Sequence, residues 1–488
     1  MITAPEVATR SGTVRGRNEH GVAVFRGIPY ARPPVGELRF AAPEPAAKWD
    51  GVRDASAFGP RAPQTPMAET PHDVAGSDDW LTLNVWSPDL GARLPVMVYI
   101  HGGAYLHNGS DNPHGDGAVL AAAGAVVVSM NYRLGFEGFA HIDGAPDNRG
   151  ILDQAAALRW VQDNIDAFGG DPGNVTVFGQ SAGAGSVAAL LTMPPASGLF
   201  RRAIALSVPS TFFTTELAAD ISAAIVAQLG RPATLAALAD IAPLELVGAT
   251  RAVTLSLPQR EDQWGPIAHT PTPFSPVVDG EVLASAPWEA LAGGAARGID
   301  LIAGHTRDEL SILATRAPED VDVTALLDGL APGGSAAYRD AYPNADTAVL
   351  YETVLSDWLM RMPSLQLAEA HAEGGGNAWV YELGWWFGPA GASHSLDVLL
   401  LLGTLDDAAG LPAATRPDAA AEAGRLGELM RAEWVGFATN GDPGWPQHAT
   451  GRATRVYDTE TRTVPYPEEA SRRIWAGHRF GTLDLPAT

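Results

Sequence analysis

No stretch of this 488-residue chain restricts its fold more than the pentapeptide Gly179-Gln180-Ser181-Ala182-Gly183. A β-branched run, Val175-Thr176-Val177-Phe178, leads into it, and the small-residue stretch from Ala184 to Leu191 follows it. Strand, tight turn and helix in that order hold a serine hydroxyl above a sheet as a nucleophile. Side chains at Gly179 and Gly183 would collide across so sharp a turn. With 53 glycines in the chain, the string alone describes a structural turn more often than a nucleophile, so its flanks carry the argument.

Those flanks belong to a larger alternation. Pro95 to Ile100 is a continuous apolar run ending in His101-Gly102-Gly103, and Ala125 to Met130 is another, followed by Asn131-Tyr132-Arg133. Such runs predict buried parallel strands. Between Gly150 and Phe168, Ile151, Ala155, Leu158, Val161 and Ile165 recur at helical spacing, predicting a helix over one sheet face. Further strands are predicted at 203–206, 300–303 and 378–381. The expected fold class is therefore α/β, a large central mostly parallel sheet with helices on both faces. Ala-rich stretches at 216–246 and 419–439 read as helical. No convincing linker precedes them, which argues for one domain over 1–488 with a helical insertion around 211–260 and further helices around 320–375. Segments 109–117 and 258–276 read as loops rimming the site.

Composition narrows the function. Hydrophobic residues make up 46% of the chain, enough for a large core. A net charge of -24 without basic blocks disfavours nucleic acid and anionic membranes and admits neutral or cationic substrates more easily than polyanions. The absence of cysteine removes disulfides, thiolate nucleophiles and Cys-ligated metal centres. The start, Met1 to Glu6, lacks a basic region followed by an apolar one, and no long apolar span occurs, so a cytoplasmic protein is expected.

A serine nucleophile needs an imidazole base, and the base needs an acid to fix its tautomer; along such a chain the order is serine, acid, histidine. After the strand at 300–303, Thr306-Arg307-Asp308-Glu309 offers two adjacent acids, and the residues alone do not choose between Asp308 and Glu309. His305 precedes both and fits the order badly. Among the downstream histidines His371, His394, His448 and His478, His394 lies in a small-residue loop after a strand-like segment, with His448 as its rival. Backbone N–H groups of Gly102, Gly103 and Ala182 are placed to receive an oxyanion. His101 is read as shaping that loop. Phe136, Phe139, Trp264, Trp385, Trp386 and Phe387 are candidate apolar walls for the substrate.

Together, Phe25-Arg26-Gly27-Ile28-Pro29-Tyr30-Ala31, Leu81 to Trp86, Tyr99 to Tyr105, Asn131-Tyr132-Arg133, Gly169-Gly170-Asp171-Pro172 and the serine turn resemble the type-B carboxylesterase/lipase family over almost the whole chain. The resemblance implies an α/β-hydrolase fold and a carboxylic-ester hydrolase without cofactor or metal. It also implies Ser181 as nucleophile, Glu309 as acid, His394 as base, and Gly102, Gly103 and Ala182 as the oxyanion hole. The expected partner is a small hydrophobic or aryl ester, or alternatively an aryl carbamate or amide, acted on by a monomer or small homo-oligomer. Three departures stand out. Ser77-Asp78-Asp79-Trp80-Leu81 replaces the family's Ser-Glu-Asp-Cys-Leu, so the usual disulfide is absent and Trp80 is expected to fill its space. Gln180 stands where Glu is common, and Ala184 where Gly is common.

Overall fold

The computed structural model describes residues 4–65, 78–112, 115–313, 320–405 and 418–486. Met1–Thr3, Ser77 of the departing motif, and residues 113 and 114 of the expected 109–117 loop lie outside them.

An 11-stranded sheet runs through the molecule. In spatial order its strands are Arg462–Pro465, Ala453–Tyr457, Ala378–Leu383, Asp300–Thr306, Arg202–Leu206, Gly170–Gln180, Leu94–Ile100, Val126–Met130, Thr82–Ser87, Val22–Pro29 and Arg17–Glu19. Every pairing from Val126–Met130 across to Ala453–Tyr457 is parallel, and the pairings at either margin are antiparallel.

The continuous apolar runs follow from burial on both sheet faces. Successive strand side chains point to opposite faces. Val96, Val98 and Ile100 join one core with Val175, Val177, Ala203 and Ala205, whereas Met97, Tyr99, Phe178, Ile204 and Leu206 join the other. The first core is covered by the helix Arg149–Asn164, whose Ile151, Ala155, Leu158 and Val161 are fully buried. The second is covered by Ala419–Asn440 through Met430, Trp434 and Phe437. These layers are those of the α/β-hydrolase fold.

Between Arg202–Leu206 and Asp300–Thr306 the chain forms the helices Thr215–Ala227, Leu235–Leu238, Pro243–Ser256 and Glu261–Trp264. Between Asp300–Thr306 and Ala378–Leu383 it forms Val323–Leu330, Gly334–Ala341, Thr347–Ser356 and Met362–Glu373. The last two are joined by a π-helical turn, Asp357–Arg361. Trp80 is buried beside this framework, in the first core. Among the described residues no helix is long and apolar enough to cross a membrane.

Candidate active site

Ser181 sits where the strand Gly170–Gln180 breaks into the helix Ala182–Thr192, with φ 58° and ψ −124°. A non-glycine residue in that region costs about 1–3 kcal/mol, and the sheet and helix on either side hold it there. The turn has no room for larger flanking residues: a Cβ on Gly183 would lie 2.1 Å from the Ile100 carbonyl oxygen, and one on Gly179 would lie 2.4 Å from that of Gly183. Ala184 is fully buried in the helix.

The loop after Leu94–Ile100 passes directly beside this turn. A Cβ on Gly102 would stand 3.2 Å from Cβ of Ser181, so backbone replaces side chain there. Gly103, Ala104 and Tyr105 all have positive φ, at 118°, 55° and 59°. The loop is pinned by the N–H groups of Leu106 and His107, which both donate to the Gly103 carbonyl at 2.9 and 3.0 Å. The Tyr132 hydroxyl donates to the His101 carbonyl at 2.7 Å. Among the described residues the N–H groups of Gly102, Gly103 and Ala182 have no protein acceptor.

His394 arrives from the loop after Ala378–Leu383, and Glu309 from the loop after Asp300–Thr306. Glu309 Oε2 lies 2.5 Å from His394 Nδ1. Its other oxygen accepts the Ser207 hydroxyl at 2.6 Å and the Thr306 N–H at 2.8 Å. Burial raises the carboxyl's pKa most strongly, but the charge and hydrogen bond of His394, with help from Ser207, hold it below the ordinary value of 4.5. An ionised carboxylate here accepts at Nδ1 and so leaves the lone pair of the neutral ring on Nε2. Asp308 points elsewhere: it pairs with Arg307 at 3.0 Å and accepts the Ala392 N–H at 2.7 Å, bracing the loop that carries His394.

Gln180 places its side-chain amide nitrogen 2.9 Å from His394 Nε2. No hydrogen bond joins Ser181 to His394 among the described residues. Nothing in the sequence marks this contact beyond the replacement of the common Glu.

The rival histidines lie apart from Ser181. His305 is buried between the Thr306 carbonyl and the Tyr466 hydroxyl, with burial lowering its pKa to about 4. His448 faces the Ala453 carbonyl at 3.2 Å. His101 gives its Nδ1 to the Gly102 carbonyl at 2.8 Å and stacks on Tyr132 at 4.4 Å, fitting a loop-shaping role.

Ser181, Ala182, Gly103, Gln180 and His394 line a cavity of about 390 Å³. Its apolar walls are Pro209, Pro271, Leu313, Leu359, Met360 and Ala104. All six aromatic residues expected as walls lie outside this lining, which corrects the sequence reading. Trp264 is fully buried, donating its indole N–H to Asp220 at 2.7 Å under the Arg260 guanidinium. Trp385 is buried in the opposite core and donates to Glu422 at 2.9 Å. Trp386 is 37% exposed. Phe136 lines a separate hollow of about 210 Å³ that shares only the wall residue His107 with the cavity. Phe139 packs on Tyr105 at 4.5 Å, and Phe387 stacks on Trp385 at 6.0 Å. Large aromatic residues on regular elements fill cores, and buried indoles find carboxylates.

Thr270, Pro271 and Thr272 come from the loop read as rimming the site, so that signal was present. Leu359 and Met360 had none: they sit in a helical pattern, and it is the π-helical turn, a common device at functional sites, that carries them to the cavity.

A parallel sheet covered on both faces, with a strained serine turn at the C-terminal edge of a strand, defines a hydrolase of the α/β-hydrolase class. The carboxylesterase family's sequence model matches residues 3–332, and the chain belongs to that family and is a serine hydrolase of carboxylic esters. The para-nitrobenzyl esterase of Bacillus subtilis (strain 168) is 38% identical over 97% of this chain and 98% of its own. Phenmedipham hydrolase of Pseudarthrobacter oxydans is 34% identical over 91% of each. A solved Geobacillus stearothermophilus carboxylesterase superposes with a TM-score of 0.84 at 36% identity, over 96% of this chain and 99% of that one.

Proposed function

We propose that Ser181 is the nucleophile, His394 the general base and acid, Glu309 the carboxylate that orients it, and the N–H groups of Gly102, Gly103 and Ala182 the oxyanion hole. His394 Nε2 takes the Ser181 proton as its oxygen attacks the substrate carbonyl, and the oxyanion collects the three N–H groups. The imidazolium, held by Glu309, protonates the departing alcohol. Water then attacks the acyl-enzyme with the same imidazole as base, releasing the acid and free serine.

The observation that carries this reading is convergence: residues from three separate strand ends meet at one cavity, with the Glu309 carboxylate 2.5 Å from His394. We read the substrate as a small hydrophobic or aryl ester, supported by the cavity's apolar walls and by the relative named para-nitrobenzyl esterase. Hydrolysis of an aryl carbamate or amide by the same residues is the second reading, favoured by the relative named phenmedipham hydrolase. The whole chain is read as one catalytic domain, cytoplasmic, and monomeric or a small homo-oligomer.

A matched aryl ester, carbamate and anilide sharing one leaving ring test the reading. Ester turnover should exceed the other two and vanish in folded Ser181→Ala. Turnover retained at the wild-type rate in that variant would overturn the assignment of the nucleophile, and a carbamate or anilide cleaved faster than the ester would put the second reading first.

A further inference from the structure

A neutral imidazole that gives Nδ1–H to a carboxylate has one lone pair, on Nε2. In this enzyme that lone pair faces the Gln180 amide N–H at 2.9 Å, and Ser181 makes no hydrogen bond to His394 among the described residues. Two donors cannot share one in-plane lone pair, so Gln180 and Ser181 compete for the base. Gln180 also lines a second, polar hollow of about 50 Å³ behind the oxyanion loop, beside Gly102, Asn108 and Asn112. That hollow gives the amide somewhere to withdraw.

We propose that Gln180 is a positioning residue that caps the base in the resting enzyme, favours its neutral form, and yields Nε2 to Ser181 when substrate fills the cavity. The proposal rests on His394 being the base. On yielding, the Ser181 proton passes to Nε2 as the Cγ-bound amide turns aside; no group other than Ser181 and His394 gains or loses a proton. A side-chain amide does this where the carboxylate common in the family cannot, because a carboxylate beside Nε2 accepts from the imidazolium and favours the charged ring.

The other groups around the ring do not substitute for it. Glu309 holds the Nδ1 side, with His305 behind it. Asp397, in the helix that follows the base, accepts the Tyr381 hydroxyl at 2.6 Å. The Arg307–Asp308 pair lies under the loop through the Ala392 N–H. His107 lines the cavity wall. Among the described residues, Nε2 is hydrogen-bonded by Gln180 alone.

The test is the pH profile of kcat/KM for an aryl acetate in the wild type, Gln180→Met and Gln180→Glu, with thermal melts for each. Removing the donor in Gln180→Met should move the acid limb up by roughly half to one pH unit, the equivalent of one net hydrogen bond. Gln180→Glu should move it further, by about one to three units. The high-pH plateau of Gln180→Met should rise above the wild type, because Ser181 no longer competes for Nε2. An acid limb that stays fixed in both folded variants, or one that moves down in Gln180→Glu, overturns the proposal. Fluorophosphonate labelling of the wild type separates the two failures. Labelling with an unmoved limb refutes the Gln180 role alone, whereas no labelling refutes the nucleophile on which it rests.

Discussion

Exchanging Glu309 for Gln keeps the shape of the side chain and removes its charge, which makes its consequences calculable from the neighbours. The carboxylate accepts three hydrogen bonds: from His394 Nδ1 on one oxygen, and from Ser207 and Thr306 on the other. An amide has one oxygen. The Thr306 N–H can only donate, so the amide oxygen stays on that side and its NH₂ turns to His394 Nδ1. The ring must then accept at Nδ1 and carry its proton on Nε2, which removes the lone pair that Ser181 needs. Loss of the productive tautomer in a serine triad costs about 10⁴ in kcat, or roughly 5.5 kcal/mol of barrier. We expect Glu309→Gln to lower kcat on an aryl ester by about three to four orders of magnitude, with KM little changed. Asp308→Asn should lose far less, since Asp308 contacts Arg307 and the Ala392 N–H and not the base. Stopped-flow and steady-state assays of both variants, with circular dichroism to verify folding, decide it. Glu309→Gln within tenfold of the wild type, or Asp308→Asn as impaired as Glu309→Gln, would refute the reasoning.

Three other outcomes follow from the same contacts. The Glu309 carboxyl is held below its ordinary value, so its ionisation stabilises the fold above the unfolded carboxylate pKa, and that contribution is lost as pH falls through the lowered folded value. The gap in urea midpoint between wild type and Glu309→Gln should therefore be wider at pH 7 than at about pH 3; an equal gap at both would contradict it. Asp153 is fully buried and takes the Arg133 N–H and two guanidinium contacts at 3.0, 2.8 and 2.7 Å, so Asp153→Asn should cost about 3–5 kcal/mol in urea unfolding. A loss below about 1 kcal/mol would show the pair to be dispensable. Trp264→Phe should cost roughly 1–3 kcal/mol of stability, through its lost volume and its bond to Asp220, while KM for an aryl ester stays within about twofold. A tenfold rise in KM would return Trp264 to the substrate.

How much was legible in the sequence depended on whether the constraint was local. The serine turn was readable because Gly179 and Gly183 are demanded by atoms of the turn itself and of the neighbouring strand. The central strands were readable because consecutive apolar residues serve two cores at once. The antiparallel margins, such as Arg462–Pro465 with its largely exposed residues, left no such run. Asp308 and Glu309 could not be separated from composition, because the choice is made by Ser207 and Thr306, and Ser207 comes from another strand end. The cavity walls misled for the opposite reason. Aromatic residues announced themselves, yet Trp264 and Trp385 are occupied with carboxylates, and the lining falls to Pro209, Leu359, Met360 and the Thr270–Thr272 loop. Only the packing of distant segments brings those ordinary residues together.

Activation of Ser181 as the nucleophile of this site is open to direct chemical measurement. Intact-protein mass after exposure to a small fluorophosphonate, followed by peptide mapping, measures that directly. A single adduct is expected on the peptide containing Ser181, absent from folded Ser181→Ala; an unmodified wild type, or an adduct on another residue, would rule out Ser181 as the activated nucleophile.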